Sequence, residues 1–416
     1  MPPSSSATEP RPAVSTPTGS VQLELKTSFD GLEALASEWD AAVTRLGGPI
    51  YMTFQWARTW WEFYGAGCQL RLFLFRRAGE LVAVVPLYMD TIGFAPFGLK
   101  VARIVGAALP PKIFDPPIDP DCARDVWREI IRNLFGRDGC DVLSFGPVAE
   151  AHPALQAAVE ASRQESGSVQ PGEITAKEVQ TIYHLPATYD EYFAALDSKE
   201  RKTRRKKLRE LEAVAPVTTD VIEDPAGVVK EFETFVEQHT TQWQSEGRPG
   251  HFHAWPRALE YNRALVARLA PLGRVRFYRL MSGDQVITRQ YTYALGDRLY
   301  AELPARAFGD PWDRFSLGCT SQIKLIESAI QGGVKRMDSG LGHYEYKFLT
   351  GGIETPVSVL YLRNAGSWSN LRVRLWGRFH GLLLLFLHKL WYRKIMPHLP
   401  AMFRSGQSQL LLRLEF

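Results

Sequence analysis

Two stretches of the chain gather residue types that can move protons and hold charged groups. The first is Asp338-Ser339-Gly340-Leu341-Gly342-His343-Tyr344-Glu345-Tyr346-Lys347-Phe348, where a strand-like run ends in a glycine-broken turn followed by polar and aromatic groups. Acyl transfer asks for a base to take a proton from the nucleophile, a donor for the oxyanion and an acid for the leaving group. His343, Tyr346 and Lys347 can fill such roles. The plainer alternative is a polar turn with tyrosines packed on a domain rim. The second stretch, residues 310–318, joins a strand to a helix. A helix N-terminus offers unpaired N–H groups and partial positive charge, which suits a phosphate or pyrophosphate. Arg314 adds a cation, Ser316 a hydroxyl and Gly318 room for close backbone approach. The plainer alternative makes Ser316 a cap and Gly318 a packing glycine.

Other clusters carry charge. Residues 199–209, Lys-Glu-Arg-Lys-Thr-Arg-Arg-Lys-Lys-Leu-Arg, form a helix that is basic on most faces. It suits an anionic acceptor such as a lipid-linked sugar pyrophosphate, anionic lipid or RNA, or it is a solvated face. After Gly366 the chain has eight Arg and Lys among interleaved aromatics and leucines and one acid, Glu415. That pattern fits an interfacial amphipathic helix and equally a helical hairpin packed on the body. His251-Phe252-His253 lacks a third ligand at convincing spacing, so no metal is expected. No Ser-His-Asp order or nucleophile elbow appears, which sets hydrolase chemistry aside.

The elements that must position these groups occur twice. In the first block, Leu32, Leu35, Ala36 and Trp39 recur at helical spacing, and an aromatic helix covers residues 54–64. Strands follow at residues 70–76 and 81–89, with shorter runs between 92 and 105. A Pro-rich loop over 110–120, a helix over 123–135 and a strand over 141–145 complete the block. The second block has helices at 230–243 and 256–269 and strands at 275–281, 285–295 and 298–303. A helix over 317–331 is stopped by Gly332-Gly333, and a strand over 334–338 closes the unit. This order reads as a duplicated α+β unit. The expected domains are 21–175 and 176–365, joined near residues 165–177, with a disordered leader over 1–20 and a basic helical tail over 366–416.

Composition agrees with a folded body. The 416 residues are 45% apolar and 23% charged, with a net charge of +4. That charge is too small to argue for nucleic acid. Four scattered cysteines form no framework, which fits a reducing cytoplasm. The longest strongly apolar run, residues 381–387, falls far short of the ~20 residues a spanning helix needs.

Ser316-Leu317-Gly318, Gly332-Gly333, Asp338, Gly340, Gly342 and Tyr346-Lys347 together resemble the CelD/BcsL-like acetyltransferase family of the GNAT superfamily. Trp39, Phe54, Trp60, Trp61 and Pro86-Leu87 extend the resemblance over about residues 25–352. The Tyr-Lys pair is also similar to one in Fem-type aminoacyl transferases, which have paired GNAT-like domains. The resemblance implies tandem GNAT-like domains, each a mixed sheet flanked by helices. It also implies acetyl-CoA or another acyl-CoA as donor, with its phosphates at Arg314, Ser316, Leu317 and Gly318. Leu317 stands where the family often has proline, and the glycine-rich pyrophosphate signature of ordinary GNAT enzymes is absent.

In such a fold the strands 298–303 and 334–338 splay, and the acyl group sits between them. Glu302 is then the expected base, Asp338 the group orienting His343 or the acceptor, Tyr346 the acid and Lys347 the oxyanion donor. Arg201, Arg205 and Trp243 are expected to hold the acceptor. The expected activity is acyl transfer to an amine or hydroxyl of a sugar or of a cell-envelope or exopolysaccharide precursor, in the cytoplasm, with peripheral membrane contact through the tail. Two alternatives stay open: a Fem-like transferase using aminoacyl-tRNA, and a non-catalytic scaffold in exopolysaccharide synthesis.

Overall fold

The computed structural model describes residues 20–386 except 94–95, 108–111 and 249. The leader apart from residue 20, and the tail beyond residue 386, lie outside the described residues. One order of elements is laid down twice. The first unit runs β1 (Gln22–Lys26), α1 (Ala36–Arg45), α2 (Phe54–Tyr64), β2 (Gln69–Arg77), β3 (Glu80–Ile92), β4 (Leu99–Ile104), α3 (Ala123–Ile131), β5 (Val142–Ala149), α4 (Pro153–Gln164) and β6 (Glu173–His184). After α5 (Tyr189–Ala195) and α6 (Ser198–Glu212) the second unit repeats it. Its elements are β7 (Val217–Ile222), α7 (Pro225–Ser245), α8 (Ala258–Leu269), β8 (Val275–Ser282), β9 (Gln285–Leu295), β10 (Arg298–Arg306), α9 (Leu317–Gln331), β11 (Arg336–Leu341), α10 (Glu345–Leu349) and β12 (Ile353–Arg363). Helix α11 (Ser367–Phe386) follows.

Local chemistry sets these elements. In α9 the apolar positions 323, 326, 329 and 330 share one buried face, and Gly333, at φ +76°, ends the helix where a side chain would be strained. Helix α2 buries Phe54, Trp56 and Trp60. The β2–β3 hairpin turns at Ala78-Gly79.

The strands form one twelve-stranded sheet, in the order β1-β2-β3-β4-β5-β12-β6-β11-β10-β9-β8-β7. The units exchange strands. β6 leaves the first unit to pair with β11, while β12 leaves the second to pair with both β5 and β6. β6 therefore runs through the boundary expected at 175/176, and the expected connector ends inside it.

A cluster of buried apolar side chains runs through both units without a break. Edge-on contacts of Tyr51 with Tyr300 and of Trp56 with Tyr293 cross the seam. Arg274 reaches Asp40 at 2.6 Å, and Arg298 donates to the Gly47 carbonyl at 2.7 Å.

Within each unit one strand pair is parallel, β4 with β5 and β10 with β11, and each shares a register of only three residues. In the first unit the parting is filled from within. Phe114 is fully buried, its N–H bonds the Pro147 carbonyl, and the Pro117 carbonyl accepts from Val84. The second parting stays open.

The start of the tail packs on the body. Asp141, fully buried, accepts from Ser369 Oγ and Arg372 Nη2 at 2.5 Å each and from the Lys100 N–H at 2.9 Å. Trp368, Leu371, Leu375, Phe379 and Leu382 lie exposed. Among the described residues no helix is long and apolar enough to cross a membrane.

Candidate active site

β10 and β11 pair at Arg298 with Arg336, Leu299 with Met337 and Tyr300 with Asp338, and then separate. Just past that point β10 is irregular between Ala301 and Leu303, so Glu302 falls out of the ladder with β9. Over the gap lies a cavity of about 600 Å³ whose walls come from both units. Glu302, Asp338, Tyr346, Lys347, Gly318 and Trp243 all line it.

Glu302 does not stand alone. Both of its oxygens accept from Lys112 Nζ, at 2.5 and 2.6 Å, and Lys112 belongs to the Pro-rich loop of the first unit. Lys112 thus occupies both carboxylate oxygens, and direct proton uptake by Glu302 requires Lys112 to move.

Asp338 ends the parallel register. Its Oδ2 accepts from Gln180 Nε2 at 2.6 Å and its Oδ1 from the Gly340 N–H at 2.8 Å. Burial raises its pKa, against these two bonds. Its oxygens are thus engaged within the strand end, and the expected link to His343 is not formed. Gly342, at φ +96°, precedes His343, which sits on the surface with Nδ1 2.7 Å from Glu354 Oε1 and takes no part in lining the cavity.

Lys347 is buried, with Nζ donating to the carbonyls of Leu341 at 3.1 Å, Gly340 at 3.3 Å and Gly342 at 3.5 Å. Its three N–H groups match three carbonyls, so it staples the glycine-broken turn from inside. In this geometry it is not free to serve an oxyanion. Burial pushes its pKa down to about 8, against Asp338, Glu178 and Glu354. Tyr346 is half-buried, and burial, with smaller contributions from Tyr344 and Cys319, pushes its pKa up to about 12. It therefore keeps its proton at neutral pH and can donate it.

Of the expected phosphate-binding residues, Gly318 alone reaches the cavity, and a Cβ there would meet nothing within 4 Å. Ser316 adopts a left-handed conformation at φ +50° and makes no side-chain cap. Leu317 is buried in a small apolar cluster, and Arg314 stacks on Phe315 at 4.7 Å. Of the expected acceptor residues, Trp243 is in the cavity wall. Arg201 instead caps α5 by donating to the carbonyls of Ala194 and Leu196 at 2.5 and 2.6 Å. Arg205 stacks on Phe193 beside a separate pocket of about 240 Å³.

Three groups at the cavity have no catalytic role in the sequence analysis: Lys112, Trp255 and a histidine pair, of which His251 is weighed there only as a metal ligand. His239 Nε2 and His251 Nδ1 are 3.0 Å apart, and His239 Nδ1 is 3.1 Å from the Pro304 carbonyl on β10. His251 lines the cavity, while His239 lies fully buried behind it. Burial lowers both pKa values, that of His239 to about 4 with a smaller push from His251. The 251–253 histidines were a visible signal, but His239, on a helix twelve residues earlier, was not. Among the described residues no group of His, Cys, Asp and Glu is arranged to hold a metal ion.

Residues 198–348 match the family model of the acetyltransferase (GNAT) domain. This window runs from α6 into α10 and includes β10, α9 and β11, the elements that build the open parting. The protein thus carries a GNAT-type transferase domain in its second unit.

The crystal structure of FemX is similar at 12% identity, covering 78% of this chain and 95% of that one, with a TM-score of 0.54. L-PGS from Bacillus licheniformis is similar at 12% identity over 81% of this chain and 94% of that one, with a TM-score of 0.48. A tandem GNAT protein from the clavulanic acid biosynthesis pathway aligns at 12% identity over 83% and 99%, with a TM-score of 0.39. The comparison with curated proteins gives no match. The fold is α+β, with two GNAT-like units.

Proposed function

We propose that the protein transfers an acyl group from acyl-CoA to an amine or hydroxyl of a sugar or envelope precursor. The observation that carries this reading is the open parting of β10 and β11 over a large cavity, in the unit whose sequence matches the acetyltransferase domain. The residues suit such a donor. The first turn of α9 presents unpaired N–H groups, and Gly318 leaves open space beside them. Tyr346 supplies a proton for the departing thiolate. The acceptor side is aromatic, with Tyr51, Trp243 and Trp255 in the wall. Trp255 Nε1 is buried with no hydrogen-bond partner among the described residues, a donor that an acceptor hydroxyl would satisfy.

A second reading, an aminoacyl-tRNA donor, draws on α6, where Lys199, Lys202, Lys206 and Arg209 are exposed or half-exposed along one helix. Calorimetry of the intact protein with acetyl-CoA, CoA and bulk tRNA decides between them. Acetyl-CoA should bind, and Gly318→Trp should abolish that binding with circular dichroism unchanged. Binding of tRNA without CoA selects the second reading. Binding of neither leaves the scaffold role.

A further inference from the structure

We propose that His251 is the catalytic base that takes the acceptor's proton, held in the necessary tautomer by His239 as a positioning residue. This rests on the acyl-transfer reading above. The argument starts at a carbonyl. The Pro304 oxygen can only accept, so the His239 Nδ1 facing it at 3.1 Å carries hydrogen. His239 is fully buried, packed against the rings of Phe235 and Phe252, and it stays neutral. A neutral imidazole with hydrogen on Nδ1 has its lone pair on Nε2. The 3.0 Å contact with His251 Nδ1 is therefore donated by His251. It follows that a neutral His251 carries its own lone pair on Nε2, and that nitrogen has no protein partner among the described residues. The edge of Trp243, with ring centroids 5.0 Å apart and planes at 85°, fixes the ring.

The surroundings favour the role. The groups facing His251 are His239 from α7, Glu302 from β10 and Lys112 from the first unit; Glu178 and Arg306 line the same cavity. Glu302 is occupied by Lys112, whereas His251 is not paired with a charge. Burial lowers the His251 pKa below its usual 6.5, so the neutral, accepting form prevails at neutral pH. Pro304, which anchors the relay, lies two residues past the irregularity at Glu302, on the strand that borders the acyl group in the proposed reading.

The step balances without another reactant. The acceptor nitrogen or oxygen bonds to the acyl carbon as His251 Nε2 takes its proton. The carbon–sulfur bond breaks, and Tyr346 gives its proton to the departing sulfur. Solvent then removes the proton from His251 and restores that of Tyr346.

Two measurements test the proposal. Nitrogen NMR of histidine-labelled protein should show His251 protonated on Nδ1 and bare on Nε2, titrating below 6.5. The opposite tautomer overturns the proposal whatever the activity. CoA release from acetyl-CoA is then followed across pH 5–9 with glucosamine as the probe acceptor. His251→Ala should bind acetyl-CoA as the native protein does, release CoA about 10²–10⁴-fold more slowly and lose the acidic limb of the profile. Added imidazole should restore part of the rate. His239→Phe should lower the rate less and move the limb. Native rate and an intact limb in His251→Ala overturn the proposal. Should the native protein release no CoA with this probe, the tautomer alone decides. Failure of native protein to bind acetyl-CoA removes the acyl-CoA reading itself, a separate result.

Discussion

Replacing Lys347 with methionine tests the cost of the buried ammonium behind the glycine-broken turn. Burial lowers its pKa from 10.5 to about 8. Between those values the unfolded chain holds the proton and the folded chain does not, so this side chain makes stability rise with pH. The burden on the folded state is about 3 kcal/mol at pH 7 and about 1.4 kcal/mol at pH 9.5. Methionine is of similar length and uncharged, so Lys347→Met removes this dependence. It also leaves three carbonyls without their donor, at about 1 kcal/mol or more each. The two effects nearly cancel at neutral pH, and the variant should fold with stability close to native. The sharper quantity is the change with pH. Urea unfolding followed by tryptophan fluorescence at pH 7 and 9.5 should show the native protein gaining about 2 kcal/mol relative to Lys347→Met. Parallel profiles, within about 0.5 kcal/mol, would refute a charged lysine buried at this turn. Acyl transfer should fall in the same variant, because Gly340 and Leu341 of that turn line the cavity.

Three further outcomes are expected. Lys112→Ala leaves the Glu302 carboxylate buried without its cation and should cost about 3 kcal/mol in urea unfolding, much of it recovered by adding Glu302→Gln. Asp141→Ala strips the acceptor from Lys100, Ser369 and Arg372, so trypsin should cut α11 sooner than in the native protein. The His239 pKa, lowered from 6.5 to about 4, contributes stability that is present above 6.5 and lost as pH falls through 4. Acid titration should therefore remove about 3 kcal/mol across that window, and His239→Phe should flatten it.

Several elements were legible because their own residues declare them. The aromatic run of α2, the β9 strand between two tight turns and the glycine-stopped α9 have the expected bounds. β6 and β12 were not foreseen. Their alternation is diluted by polar positions such as Lys177, Glu178, Glu354 and Ser358, and their partners lie in the other unit. The same reason divides the site. Glu302, Asp338, Tyr346, Lys347 and Gly318 sit on consecutive elements of one unit, where order along the chain suggests proximity. Lys112 arrives from the other unit, and His239 is distinguished only by what α7 packs against. His343 stands apart from the cavity, on the surface beside Glu354, just after the positive φ of Gly342. The basic run also reads differently in three dimensions, since Arg201 and Arg204 are consumed by Leu196 and Glu200.

The exchanged strands also bear on synthesis. β5 ends at residue 149, yet the strand that covers its outer edge ends at residue 363. At about 5–20 residues per second, the ribosome leaves that edge uncovered for roughly ten to forty seconds. Throughout that interval the open N–H and C=O groups of Val142–Ala149 are a template for any neighbouring strand. A nascent chain that has finished its first unit is therefore still a client for chaperones, and a fragment cut near residue 175 should aggregate.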